Sequence, residues 1–139
     1  MADHTVRALF AARLAQARQL RGLSQRALGD KMGLGKDKGS SRINRYEHQV
    51  TAIGFDNLEA LAKILEVPPA YLLADGPDMA DAILAVGTAS PRHQAQLAHV
   101  LTALSTNPGL TKALAKALAD SPEAVKDALA SLAAGPTKR

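Results

Sequence analysis

The sequence predicts an all-α chain: a unit of five short helices followed by an Ala- and Leu-rich helical segment. Three observations carry that expectation. Apolar residues make up 47% of the 139 residues but aromatics only 3%, with no Trp, so a core must be built from Leu, Ala, Val and Ile. That palette favours helices over a sandwich or barrel, which draw on β-branched and aromatic residues. Apolar positions recur at helical spacing along the chain, and glycines, prolines and capping residues fall where helices would end or begin.

The elements follow in order. Residues 6–21 form a first helix with Leu9, Phe10, Leu14 and Ala17 on one face, and Gly22 follows its last turn as a C-terminal glycine should. Ser24 is a good N-cap for a short helix from Gln25 to Met32, ended by Gly33. Residues 35–41, rich in Gly, Lys and Ser, read as a loop. A third helix runs from about Ser41 to His48 with Ile43 and Tyr46 inward. A fourth spans Phe55 to Leu65, with Phe55, Leu58, Leu61, Ala62 and Leu65 as its apolar positions, and is stopped by Pro68 and Pro69. A final turn, Ala70 to Leu73, closes the unit before Asp75-Gly76-Pro77.

Beyond it, Ser90-Pro91, Asn107-Pro108 and Ser121-Pro122 each place a capping residue before a proline, the pattern of a helix start. The segments between carry the stripes Leu97, Val100, Leu101, Leu104, then Leu110, Ala113, Leu114, Ala117, Leu118, then Val125, Ala128, Leu129, Leu132. Met79, Ala82, Ile83 and Val86 suggest a shorter helix ahead of them. The expected domains are therefore 1–76, a helical segment 77–134, and a tail 135–139.

Composition also narrows function. With no Cys, the chain has no disulfide scaffold, no thiol nucleophile and no Cys-ligated metal site, which suits a reducing cytosol. The four His are scattered without metal-ligand spacing, so no metal or cofactor is expected. No Ser/His/Asp order is readable, and the Gly-rich stretch 33–40 lacks the spacing of a phosphate-binding loop. An enzyme is the weakest of the readings. The apolar runs are too short to span a bilayer, and the N-terminus has no signal-peptide pattern; a cytoplasmic protein is expected. Charge is uneven. Between Arg7 and Arg45 ten basic residues are opposed only by Asp30 and Asp37, whereas residues 46–139 are slightly acidic. A positive lobe of this kind suits a polyanionic partner, although a solvated basic face would look the same.

Helices two and three then matter most. In two short helices joined by a turn, the second can enter the DNA major groove if it is polar outside and apolar behind. Ser40, Ser41, Arg42, Asn44 and Arg45 are polar, with Ile43 and Tyr46 behind. The stretches Phe10-x-x-Arg13-Leu14-x-x-Ala17-Arg18, Leu23-Ser24-Gln25-x-x-Leu28, Met32-Gly33-Leu34, Ile43-x-Arg45-Tyr46-Glu47 and Leu58-x-x-Leu61-Ala62-x-x-Leu65-x-Val67 occur in that order. Together they resemble the phage-repressor-type (Xre-like, lambda-repressor-like) helix-turn-helix domain over about residues 6–74. The resemblance implies double-stranded DNA as partner and assigns roles. Ser40, Ser41, Arg42, Asn44 and Arg45 would contact bases. Gln25, Arg26, Lys36 and Lys38 would contact phosphates, the two lysines only if the intervening turn is more than a solvated loop. Arg18 and Glu47 would form a structural ion pair tying helix one to the end of helix three.

The chain departs from the family pattern in four places. The turn at Gly35–Gly39 is longer by about four residues, Gly29 stands for a usual Ala, Gln49 for a usual Gly, and Ile53 for a usual Pro. The apolar stripes of 78–134 suggest a homodimer, against the alternative of one extended monomeric core. The leading expectation is a bacterial or phage-type transcriptional regulator, most simply a repressor, bound as a homodimer to a pseudo-palindromic operator. The alternative is an antitoxin-like or adaptor protein whose main partner is another protein.

Overall fold

The computed structural model describes residues 5–35 and 37–136. Among them are α1 (Val6–Leu20), α2 (Gln25–Lys31), α3 (Lys38–Glu47), α4 (Phe55–Leu65), a 3-10 turn (Pro69–Leu73), α5 (Pro77–Gly87), α6 (Pro91–Ser105), α7 (Pro108–Asp120) and α8 (Pro122–Ala133). No described residue lies in a strand, and no helix is long and apolar enough to cross a membrane. The chain separates into one unit ending at Ser90 and a second beginning at Pro91.

Local chemistry explains the helix ends. Thr5 Oγ1 accepts from Ala8 N at 3.2 Å and Ser24 Oγ from Ala27 N at 3.0 Å, each satisfying an orphan donor of a first turn. At the end of α1 the chain reverses through Gly22 (φ 65°), where Gly22 N and Leu23 N donate back to Gln19 O and Arg18 O.

The first unit closes around one core. Phe10, Leu14 and Ala17 of α1, Leu28 of α2, Ile43 and Tyr46 of α3, Leu58, Leu61 and Leu65 of α4, and Tyr71 and Leu72 of the 3-10 turn are all buried. Phe10 meets Tyr46 edge-to-face, with ring centroids 5.9 Å apart. Phe55, read from the sequence as a core position of α4, is instead 85% exposed at that helix's first residue.

Three sequence expectations shift. The junction expected at residue 76 moves to Ser90, because α5 belongs to the first core: Ala80 is fully buried and Ile83 and Leu84 pack against the cluster. The inward stripe of α5 is Ala80, Ile83 and Leu84, with Met79 exposed. Gly87 lies against Pro68 so closely that a Cβ would sit 2.1 Å from the proline Cγ. The third helix starts at Lys38 rather than Ser41, so much of the expected loop is helical. Of the remaining expectations, Lys36 and tail residues 137–139 lie outside the described residues.

The second unit is built differently. All three of its helices begin at the expected prolines. Asn107 caps α7, its Oδ1 accepting from Leu110 N at 3.0 Å. Helix α7 packs on α6 before it and α8 after it, yet none of the three helices has a buried residue.

Candidate nucleic-acid interface

The interface begins with how closely α2 and α3 cross. A Cβ on Gly29 would stand 2.3 Å from the Gly39 carbonyl carbon, and one on Gly39 would stand 2.7 Å from Gly29 Cα. Two backbones therefore touch with no side chain between them. This contact accounts for the glycine at 29 and for the early start of α3. Gly replaces Ala at 29 because a methyl would collide with the α3 backbone. Residues 38–40 are helical despite a low intrinsic propensity because Gly39 lets that turn seat on α2.

The far end of α3 is tied down by an ion pair. Arg18 donates from Nε to Glu47 Oε1 at 2.6 Å and from Nη2 to Oε2 at 3.2 Å, and the two side chains are only 15% and 8% exposed. The same guanidinium donates to Leu23 O at 2.8 Å, which fixes the turn between α1 and α2. Gln25 extends this network outward. Its Nε2 donates to Glu47 Oε2 at 2.7 Å, and its Oε1 accepts from Asn44 Nδ2 at 3.3 Å. The fork geometry of Arg18 makes both carboxylate bonds at once, so α3 is held in rotation as well as position.

With both ends anchored, α3 presents its polar side. Ile43 and Tyr46 are buried, and Asn57 Nδ2 donates to the Tyr46 hydroxyl at 3.3 Å. Ser41, Arg42, Asn44 and Arg45 are exposed, and Ser40 is half-buried. Two open grooves flank the helix. One, of about 410 Å³, is lined by Gln25, Arg26, Asp37, Ser40, Ser41 and Asn44. The other, of about 570 Å³, is lined by Asp37, Lys38, Ser41, Arg42, Arg45, Tyr46, Thr51, Ala52 and Asn57. The structure thus brings together Gln25, Arg26, Lys38, Ser40, Ser41, Arg42, Asn44 and Arg45. Lys38 sits in the first turn of α3 rather than in a loop.

Three features escaped the sequence. Asp37 precedes α3 and lines both grooves, an acidic group among cations; its place just ahead of a helix was the available signal. Thr51 and Asn57 join the groove only through folding. Arg21, counted in the basic lobe, donates to Leu65 O at 2.7 Å and Glu66 O at 2.8 Å, capping the end of α4. With Arg18 also engaged internally, fewer of the lobe's cations are free to line the grooves than the sequence counts. Among the described residues, Arg26, Lys38, Arg42 and Arg45 are the cations that line the grooves.

The family described as "Helix-turn-helix" matches residues 14–72. A solved structure, that of the transcriptional regulator BswR, superposes with a TM-score of 0.62 at 32% identity, covering 69% of this chain and 96% of that one. This chain belongs to the phage-repressor-type helix-turn-helix family. Members of that family are DNA-binding regulators, and α2 and α3 are the two helices of the motif. No curated protein matches the chain significantly.

Proposed function

We propose that the protein is a sequence-specific transcriptional regulator that binds duplex DNA through α3, as a homodimer, and acts most simply as a repressor by occluding its operator. The observation that carries this reading is the exposed row Ser41, Arg42, Asn44 and Arg45 on a helix anchored at both ends, between two grooves lined by Arg26, Lys38, Arg42 and Arg45. A major groove about 12 Å wide admits one such helix. Arg45 and Arg42 are suited to guanine O6/N7, and Asn44 to adenine N6/N7. Gln25, Arg26 and Lys38 are assigned to phosphates, which set register rather than sequence. Lys36 is proposed as a phosphate contact on sequence grounds alone. The Arg18–Glu47 pair acts through the fold, holding α3 at its angle.

Dimerisation is assigned to α6–α8. These helices carry leucine stripes, and among their described residues no side chain is buried, with Val100, Leu101, Leu110, Leu118, Leu129 and Leu132 exposed. Three helices that half-bury Leu97, Leu104, Leu114 and Val125 and fully bury none of their apolar residues gain stability by pairing with another apolar surface. A second copy supplies one, and it supplies the second half-site reader as well.

The test is an unbiased selection of bound duplexes, repeated with Arg45→Ala, together with a solution mass. Loss of preference at one base position of a palindromic site, with non-specific affinity kept, is the expected result. Uniform weakening across all sequences makes Arg45 a phosphate contact, and no binding in dilute salt sinks the reading. A monomeric mass at micromolar concentration removes the dimer.

A further inference from the structure

Among the described residues that line the two grooves beside α3, Asp37 alone is acidic. A carboxylate there works against binding, because a duplex carries one phosphate charge per ~1.7 Å of its axis. Its place along the helix shows which part of the duplex it meets. Asp37 and Ser41 are the two residues common to both groove linings. They stand four apart, so they share the ridge between the grooves, and Arg45 continues it. Ser41 and Arg45 are side chains assigned to bases; the phosphate contacts lie to the sides.

Nothing within the protein accounts for this carboxylate. Asp37 precedes α3 where an Asp side chain commonly caps the first turn, yet it makes no cap hydrogen bond. It is exposed, and among the described residues it forms no ion pair with Arg26, Lys38, Arg42 or Arg45. It also lies within the lengthened turn, Gly35–Gly39, that sets this chain apart from the family pattern.

A carboxylate is an acceptor only. On the major-groove edges of a duplex the amino donors are cytosine N4 and adenine N6, whereas guanine O6 and N7 and thymine O4 are acceptors and repel it. Adenine sets its N7 acceptor beside N6. Cytosine offers N4 with no acceptor of its own in that groove, so it is the better match. Recognition helices reach base edges with their N-terminal residues, and Asp37 stands at that end of α3. We propose that Asp37 is a specificity-determining residue, its carboxylate accepting from the N4 amino group of one cytosine in each half-site. The inference rests on the DNA-binding reading and adds a base and a sign to it. Asp37 lowers affinity for duplexes in general and raises preference for one sequence.

The experiment compares the whole chain with Asp37→Asn and Asp37→Ala. Bound duplexes are selected from a random pool, and three probes are then titrated: the selected duplex, the same duplex with that cytosine changed to thymine in both half-sites, and a mixed-sequence duplex. An exposed side chain without a cap bond is removable without loss of α3, and a melt of each variant checks this. The parent is expected to select one cytosine per half-site over thymine by about tenfold or more. Both variants should lose that preference, keep the others, and bind the mixed-sequence duplex about twofold or more tighter than the parent. A cytosine preference that survives in the variants overturns the proposal. Tighter binding to every probe by one common factor makes Asp37 a general repulsive charge and overturns it, as does loss of a preference for any other base. Weaker binding to all three probes with a lowered melting temperature makes the residue structural and overturns it too. A parent that selects no duplex sinks the DNA-binding reading and the inference together, whereas a parent whose selected site is unchanged by the variants sinks the inference alone.

Discussion

The two units of this chain are helical for the same local reasons yet are stabilised in different ways. In the first, residues from α1 to α5 converge on one core, and Leu14, Leu28, Ile43, Leu61, Leu65 and Leu72 are fully buried. In the second, stripes of equal length leave leucines such as Leu101 half-exposed and bury none. Periodicity alone does not separate the cases. A stripe says which face is apolar, not what covers it. The first unit covers its stripes with itself, and the second covers its own only in part.

The largest expected effect tests that contrast directly. Leu14→Ala should cost the first unit about 2–5 kcal/mol at any protein concentration. Leu101→Ala should cost an isolated chain under about 0.5 kcal/mol. If α6–α8 pair between copies, its effect grows as concentration rises and the melting temperature of the parent becomes concentration-dependent. Thermal melts over a hundredfold dilution series read both, and a concentration-independent pair of effects would erase the distinction.

Next comes the tie between α1 and α3. Arg18→Ala leaves Glu47 and Gln25 facing each other in a nearly buried site, with an expected loss of about 3 kcal/mol in urea unfolding. A loss below about 1 kcal/mol would mean that the pair does not hold α3. Gly39→Ala forces a methyl into the Gly29 backbone, at an expected cost of about 1–3 kcal/mol. DNA affinity should fall further than stability, because α3 must rise off α2; a binding titration beside the melt checks the order of the two effects.

A smaller effect has the opposite sign. Gln49 follows α3 with φ 60°, a left-handed conformation that costs a non-glycine residue about 1–2 kcal/mol. Gln49→Gly should raise stability by about 1 kcal/mol, less the added freedom of the unfolded chain. The smallest effect concerns alkaline pH. Burial holds the Tyr71 hydroxyl above its ordinary value of 10.0. The unfolded chain therefore loses this proton first. The sign follows: deprotonation favours the unfolded state, so the stabilisation is complete below pH 10 and declines as pH rises toward the folded-state value. Tyr71→Phe should flatten that decline in melts taken on either side of pH 10.

Much of the fold is legible in the sequence because its signals are local. Ser24, Gly22 and the three prolines at 91, 108 and 122 act on their own backbone, so their helices begin or end where composition says. The candidate site is legible for a related reason. A helix with Ile43 and Tyr46 on one side and Ser41, Arg42, Asn44 and Arg45 on the other has only one way to face a core. Residues 38–40 read as loop because their helicity depends on Gly39 meeting Gly29 across another helix. Phe55 reads as core because an apolar residue at a helix start can point off the buried stripe without breaking its spacing.

The sequence by itself determined the helical class, most helix boundaries and the polar row offered to a duplex, since each depends on neighbours within a turn or two. Tertiary structure alone decided that α5 joins the first core, that Arg21 is used at the end of α4, that α3 starts at Lys38, and that Phe55 faces solvent. Those outcomes depend on which surfaces meet across long stretches of chain, and residue spacing carries no record of that.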